Sequence, residues 1–329
     1  MSKITKLFLG LLISLAVFYG CENSLIDESF SNDIDLLLLS KGLTKDDVID
    51  ITSRVSSGNA ISREAKCINH CGRFKFSLVK IGGRVNHFGY DITQTPPMPI
   101  PFKQNVSGVS IWISEYPVTK YFGLETDETG FWKAWILKRR GVDIGLSFIY
   151  EKEGWITTKS NVITITDEDN LDIAIQFIDP LYYNLGVKPM VEGMLLELTG
   201  QTIPLMNAIV ATVGKSWASM HDVRLPHGDP GAIATINGEY YLPGIIGPVY
   251  FNDQVQPDPE LVCTSVDGGV AFINQPLGTY MLSALKPDVA YEIVTFEVSQ
   301  EDINNGVVLY IASPPDSIQG DNDSEPGQW

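Results

Sequence analysis

Short runs of alternating apolar and polar residues, each cut off by glycine, proline, asparagine or aspartate, constrain this chain more than any other feature. From Arg73 onward the period is two: Phe74, Phe76 and Leu78 alternate with polar neighbours, as in a half-buried strand. Further runs follow at Val109–Ile113, Phe131–Leu137, Asp143–Tyr150, Asn161–Thr166 and Leu171–Phe177. Asp179-Pro180 and Lys188-Pro189 bracket a break. A second series then covers Met190–Leu198, Met206–Val213, Ala232–Ile236, Tyr240–Leu242, Val249–Phe251, Leu261–Thr264, Val270–Ile273, Tyr280–Leu285, Ala290–Val298 and Gly306–Ala312. No long helical period interrupts either series. Short strands with closely spaced turns imply an all-β chain built as antiparallel sandwiches. Two sandwiches in tandem are expected, at 73–180 and 187–315, the second carrying a Gly- and Pro-rich insertion at 221–261.

Within the second series, Thr264–Tyr280 reads turn, strand, turn, strand. Asp267-Gly268 is a common hairpin-turn pair, and Gly278 tolerates positive φ. Thr126–Leu137 is a weaker copy, with Asp127 and Gly130 ahead of Phe131. Read with Val191-Glu192-Gly193, Ile203–Ala208, Phe272 and Pro276–Tyr280, the second series resembles the carboxypeptidase regulatory-like (transthyretin-like) family. That resemblance implies a prealbumin-like seven-stranded sandwich and no particular activity. Asn207 stands where the family commonly has glycine. In the first series the match is partial, through Gly83-Arg84-Val85, Gly108–Ile111 and Thr126–Phe131.

Met1–Gly20 has the layout of a targeting segment. Lys3 and Lys6 precede an apolar run, Leu7–Tyr19, shorter than the about 20 residues needed to cross a bilayer. The run ends in Gly20-Cys21 and resembles the lipobox of bacterial lipoproteins, with Phe18 and Tyr19 departing from the usual residues. The resemblance implies lipidation at Cys21, a signal peptide at 1–20 and an extracytoplasmic chain anchored at the outer membrane. Residues 21–72 read as a stalk with short helices. Thr44 is expected to cap a helix, with Asp46 and Asp47 suiting its N-terminal dipole and Val48, Ile51 and Val55 on one face. The acidic tail 316–329 reads as disordered. Of the remaining cysteines, Cys67 and Cys71 can pair locally, or one of them can pair with Cys263.

The formal net charge of −17 repels phosphate backbones, so no nucleic-acid partner is expected. The membrane, through the lipid, and a protein or glycan of the envelope are the expected partners. No phosphate-binding glycine loop, G-x-S-x-G or H-E-x-x-H occurs, and no cofactor is expected. His221, His227 and Tyr240, inside the insertion, are the candidate metal ligands. They bear a superficial likeness to the two-Tyr, two-His iron site of intradiol dioxygenases, without that family's closely spaced His pair. Asp167–Asp172 reads as a solvated acidic turn. Trp155 is the candidate sugar-stacking ring, while Trp132 and Trp135 must face opposite sides of their strand, placing at least one in a core. The function expected from all this is a non-catalytic envelope lipoprotein acting in binding, adhesion or assembly. A carbohydrate-binding module and a metal-dependent enzyme are the alternatives.

Overall fold

The computed structural model describes residues 38–39, 41–51, 76–87, 90–91, 98–99, 104–215, 228–239 and 246–313. The chain is an all-β sandwich protein. Its strands are β1 (Val48–Asp50), β2 (Phe76–His87), β3 (Tyr90–Asp91), β4 (Met98–Pro99), β5 (Gln104–Asn105), β6 (Ser110–Ile113), β7 (Phe131–Arg139), β8 (Ile144–Leu146), β9 (Phe148–Glu151), β10 (Thr158–Ser160), β11 (Ile163–Ile165) and β12 (Asn170–Gln176). They continue with β13 (Ala208–Val213), β14 (Ile233–Ile236), β15 (Ile246–Phe251), β16 (Pro257–Asp258), β17 (Gly269–Ile273), β18 (Gly278–Leu285), β19 (Val294–Val298) and β20 (Val308–Ser313). Among the described residues, a π-helical turn, Tyr182–Val187, runs directly into helix α1 (Lys188–Thr199), and a second α-helix is α2 (Gln300–Asn304).

One eight-stranded sheet, β16-β15-β17-β13-β20-β10-β9-β6, runs through the molecule. It takes β6, β9 and β10 from the first sequence segment and the other five strands from the second. The join is parallel: β20 pairs with β13 on one side and β10 on the other. Two covers lie on opposite faces. Strand side chains alternate in direction, so the register fixes which face each residue serves. Leu309 and Ile311 of β20 meet Phe296, Leu282 and Phe272 in a core under the three-stranded sheet β14-β18-β19. Val308, on the other face, meets Val191 and Leu195 of α1. Tyr310 joins a core beneath β1-β7-β2-β12, with Trp132, Phe148 and Tyr150. Burying each such large side chain contributes about 1.5–3 kcal/mol relative to exposure.

Several local expectations are corrected. Met190–Leu198 is helix, not strand, and with it Val191-Glu192-Gly193, the expected opening strand of the family pattern. The helical chain begins at Asp179, whose Oδ1 accepts the Leu181 and Tyr182 N–H groups at 2.8 and 3.0 Å, and widens into a π-helical turn over Tyr182–Val187 just before Pro189. Val187, Val191 and Leu195, four apart, put one buried stripe on the sheet. Gly200 ends the helix at φ 68, donating to the Leu196 carbonyl. The helix expected after Thr44 is a single 3-10 turn, Lys45–Asp47, closed by the Thr44 N–H and hydroxyl donating to Asp47 Oδ2 at 2.8 and 2.7 Å. The chain then extends, because Val48 and Ile49 find the open edge of β7, pairing parallel with Trp135 and Ile136. Leu261–Thr264 forms no strand; Thr264 serves the neighbouring loop, its Oγ1 accepting from Ala232 N–H at 2.9 Å. Tyr240–Leu242, the targeting segment and the acidic tail lie outside the described residues.

Candidate functional site

The turn that opens Thr264–Tyr280 is built by its aspartate, but the expected hairpin does not form: β17 pairs with β13 and β15, and β18 with β14 and β19 in the other sheet. Asp267 Oδ2 accepts the Gly269 N–H at 3.1 Å, and Asp267 N–H donates to Ser265 Oγ at 3.1 Å. Gly268 adopts φ 73 where two backbones cross: a Cβ there would stand 2.4 Å from the Val213 carbonyl oxygen and 2.5 Å from Gly228 Cα. Only glycine fits. Past the far end of β17, Asn207 ties the start of β13 to the turn at Gln275. Its side-chain amide donates to the Gln275 carbonyl and accepts the Gln275 N–H, both at 2.8 Å, so it extends the ladder into the turn.

Asp267 is 5% exposed and lines a notch between the π-helical turn Tyr182–Val187 and the eight-stranded sheet, beside the end of β12. Gln176, Tyr182, Tyr183, Thr212 and Phe251 share the lining. The cavity holds about 20 Å³, room for about one water. Gln176, 6% exposed, makes no side-chain hydrogen bond to another described residue. Thr212 Oγ1 accepts from the Tyr310 hydroxyl at 3.2 Å. Tyr182 is fixed by donating to the Val255 carbonyl at 2.7 Å. Burial, assisted by the charge on Glu192, pushes the Tyr183 hydroxyl up to about 12, so it stays a neutral donor. The lining thus carries amide, hydroxyl and carboxylate groups around a space that suits a single water. Sequence reading missed Gln176, Thr212 and Tyr183 altogether and took Asp267 for a turn former, which it also is.

Of the residues singled out from sequence, Cys21, Cys67, Cys71, His221, His227 and Tyr240 lie outside the described residues. Cys263 is a half-buried free thiol among the described ones. Trp155 is half-buried, with Phe177 stacked against it at 4.9 Å between centroids, His87 edge-on at 4.8 Å and the Lys152 ammonium 5.9 Å from its ring centre. Trp132 is core and Trp135 packs on the opposite face under the Lys80 ammonium, as their spacing required. The acidic turn has structural work: Asp167 accepts from Lys138 Nζ at 2.6 Å and Gly141 N–H at 2.7 Å, and Asp169 from Lys80 N–H at 2.8 Å.

Three ion pairs, each with at least one buried member, went unread in the sequence. Lys138 reaches Asp167 with its side chain wholly enclosed. Lys159 of β10 meets Asp302 of α2 at 2.8 Å. Asp229 is shared between the Lys286 ammonium and the Tyr291 hydroxyl, and burial together with that carboxylate drives the Tyr291 proton loss far above its ordinary range. No group of three or more metal-ligating side chains occurs among the described residues.

No protein-family model matches the sequence, and no curated protein matches it. Among solved structures, the chain is similar to the Bacillus anthracis TIE protein at 14% identity and a TM-score of 0.19, covering 72% of this chain and 34% of that one, so it spans about a third of that protein's length. It is similar to shaft pilin SpaA from Lactobacillus rhamnosus GG at 13% identity and a TM-score of 0.19, over 74% of this chain and 100% of that one. A streptococcal ancillary pilin matches at 12% identity and a TM-score of 0.19, over 73% and 62% of the two chains. At such scores the likeness carries no weight for fold or function.

Proposed function

We propose that this chain is a non-catalytic cell-envelope lipoprotein whose β-sandwiches act in binding, adhesion or assembly at the outer membrane, anchored through Cys21. The observation that carries the binding reading is an exposed aromatic turn, Pro117–Phe122, between β6 and β7. Tyr121 is 86% and Phe122 54% exposed, yet the turn beneath them is fixed. Buried Thr119 donates through Oγ1 to the Tyr116 carbonyl at 2.7 Å and accepts the Ile113 N–H at 2.8 Å. Lys120 pairs with Glu151 at 2.6 Å and lies over the Trp112 ring. Aromatics presented on an already ordered turn lose little freedom on contact, which is the usual character of a binding anchor.

The partner is a protein or glycan of the envelope. Tyr121→Ala with Phe122→Ala is expected to weaken attachment to envelope material roughly tenfold or more, about 1.4 kcal/mol or more, with the melting temperature unchanged. Unchanged attachment overturns the turn as the contact. Cys21→Ser is expected to move the protein from the membrane to the soluble fraction; retention on the membrane overturns the lipid anchor. For glycans, Trp155 is the rival ring, although Phe177 already takes one of its faces. Glycan binding lost in Trp155→Ala but kept in the turn variant would reassign the site. Stoichiometric iron or zinc lost in both His221→Ala and His227→Ala would favour the metal-dependent enzyme instead.

A further inference from the structure

The outward face of β2 and β7 has two halves. At one end Leu38 and Val48 pack with Phe76 and Leu137, and Trp135 lies at the margin of that cluster. At the other end the antiparallel register puts Lys80 opposite Trp135, Gly82 opposite Lys133 and Arg84 opposite Phe131. Residues directly opposite share a face, so these six form one surface. Ile81, Val85, Trp132 and Ile136, which alternate with them, lie in the core beneath. Arg84 and Lys133 are exposed, and Lys80 is half-buried with its ammonium 5.6 Å from the Trp135 ring centre. Gly82 keeps the middle bare, because a Cβ there would stand 2.3 Å from the Trp132 carbonyl oxygen. The three cations surround that bare centre, Lys80 and Arg84 about 13 Å apart along their strand.

Among the described residues, Lys120, Lys138, Lys159 and Lys286 each meet a carboxylate, whereas Lys80, Arg84 and Lys133 make no ion pair. The carboxylates bordering the face have other roles. Asp169 accepts the Lys80 backbone N–H, Asp127 accepts three donors of its own turn, Asp172 sits at the bulge of β12, and Asp50 stands opposite Leu137 on the covered half. In a chain with 40 acidic and 23 basic residues, three cations left together on one face call for an anion from outside. We propose that this face binds an acidic glycan, whose carboxylates meet Lys80, Arg84 and Lys133. Both edges of the β2–β7 pair are taken, by β12 and β1, so a peptide cannot add there as a strand. Phe131 and Trp135 are half-buried in the face and offer a bilayer little to insert. A duplex carries one charge per about 1.7 Å, and the net charge of −17 repels it hardest; acidic sugars space their charges more sparsely. The inference does not depend on the lipid anchor or on the aromatic turn.

The test titrates the full chain with polygalacturonate in a calorimeter at low salt. Binding is expected, and it should weaken as salt is raised. Lys80→Ala, Arg84→Ala and Lys133→Ala together should weaken it roughly tenfold or more, with the melting temperature unchanged. Should that chain fail to fold, Lys133→Glu alone, at an exposed position, is expected to weaken binding in the same direction. Arg84→Lys with Lys133→Arg should keep most of the affinity, and Tyr121→Ala with Phe122→Ala should keep all of it, which separates this face from the aromatic turn. No binding of polygalacturonate overturns the proposal, and so does equal binding by the folded triple variant. Uncharged dextran bound as tightly would overturn the role of charge. Single-stranded DNA or phosphatidylglycerol vesicles bound more tightly than polygalacturonate through the same three residues would overturn the glycan as the occupant.

Discussion

Two turns in this molecule share a sequence signature and differ in surroundings. Asp127 precedes Gly130 and Phe131; Asp267 precedes Gly268 and Gly269. Asp127 Oδ1 accepts from the Thr129 N–H at 2.8 Å, the Thr129 hydroxyl at 2.7 Å and the Phe131 N–H at 3.0 Å, out in solvent. Those bonds, the Thr129 hydroxyl first, hold its carboxyl below the ordinary 3.8. Asp267 makes the equivalent bond to Gly269 while buried against the notch. The motif specifies the turn in both places. Whether the turn also lines a site is decided by what packs over it, here the π-helical turn Tyr182–Val187. The contrast extends to the two ends of the shared sheet. The β14-β18-β19 cover is made of antiparallel neighbours, whereas the β1-β7-β2-β12 cover combines distant segments, two of them paired in parallel.

The sharpest way to break this comparison is to cut the tie between the ends. Lys159 belongs to the first sequence segment and Asp302 to the second, and both side chains are almost wholly enclosed. Asp302→Ala would strand the ammonium and also remove the acceptor for the Ser299 N–H at the start of α2. A loss of about 3–5 kcal/mol is expected. Replacing both residues with well-packed apolar side chains should cost far less, because no uncompensated charge remains. Urea unfolding followed by tryptophan fluorescence reports mainly the first end, since Trp112, Trp132, Trp135 and Trp155, four of six, lie there. If the ends act as one body through their common sheet, that transition and the one seen by circular dichroism coincide. Separate transitions would show that the ends unfold independently.

A smaller effect separates the two aspartates themselves. Asp267→Ala leaves the Gly269 N–H without its acceptor beside a buried notch, for a loss of about 1–3 kcal/mol. Asp127→Ala leaves its donors facing water, which replaces the carboxylate, so its midpoint should shift visibly less. Equal shifts would mean that burial is not what distinguishes the two turns. The same pair of variants bears on the notch, since only Asp267→Ala should alter binding of anything held there.

Much of the fold was legible. The strands β17 and β18, the alternation in β7 and the all-β class follow from period, turn residues and β-branched content, but the expected hairpin does not form, because β17 and β18 lie in different sheets. The failures have physical causes. In α1, the stripe of Val187, Val191 and Leu195 is a helical signal, but Glu192 to Leu198 also supplies enough aliphatics to imitate a strand. At 44–51 the acidic cap and the 48, 51, 55 spacing imitate a helix, and only the open edge of β7, far along the chain, decides for strand. The shared sheet was invisible because the β10–β20 pairing joins residues about half the chain apart. Buried Lys138 and Lys159 were unreadable because a lysine in a strand normally marks its solvent face, and their carboxylate partners lie 29 and 143 residues away. Gln176 has no local signature at all; its place in the notch is created by the π-helical turn Tyr182–Val187 packing against the sheet.

The smallest predicted effect concerns acid and the first end. Burial opposes ionisation of Asp167 and is its largest single influence, but the Lys138, Gly141 and Ser77 hydrogen bonds and the Lys138 charge together outweigh it, so its carboxyl titrates below 3.8. A carboxylate with a lowered folded value binds its proton first in the unfolded chain. Its contribution is therefore complete above the ordinary value of 3.8 and is lost as pH falls through the lowered one. With the carboxylate partly open to solvent, the contribution is about 1 kcal/mol or less. Stability measured by urea at successive pH values should fall more steeply below 3.8 for the native chain than for Asp167→Asn, which has nothing to protonate there. The Asp167→Asn chain should in turn be the less stable at neutral pH, because the enclosed Lys138 ammonium loses its charged partner. Parallel pH curves for the two would remove Asp167 as the acid-sensitive tie and leave Asp179, also held below 3.8 against burial by His87 and the Tyr182 and Leu181 N–H groups, as the carboxylate to test next.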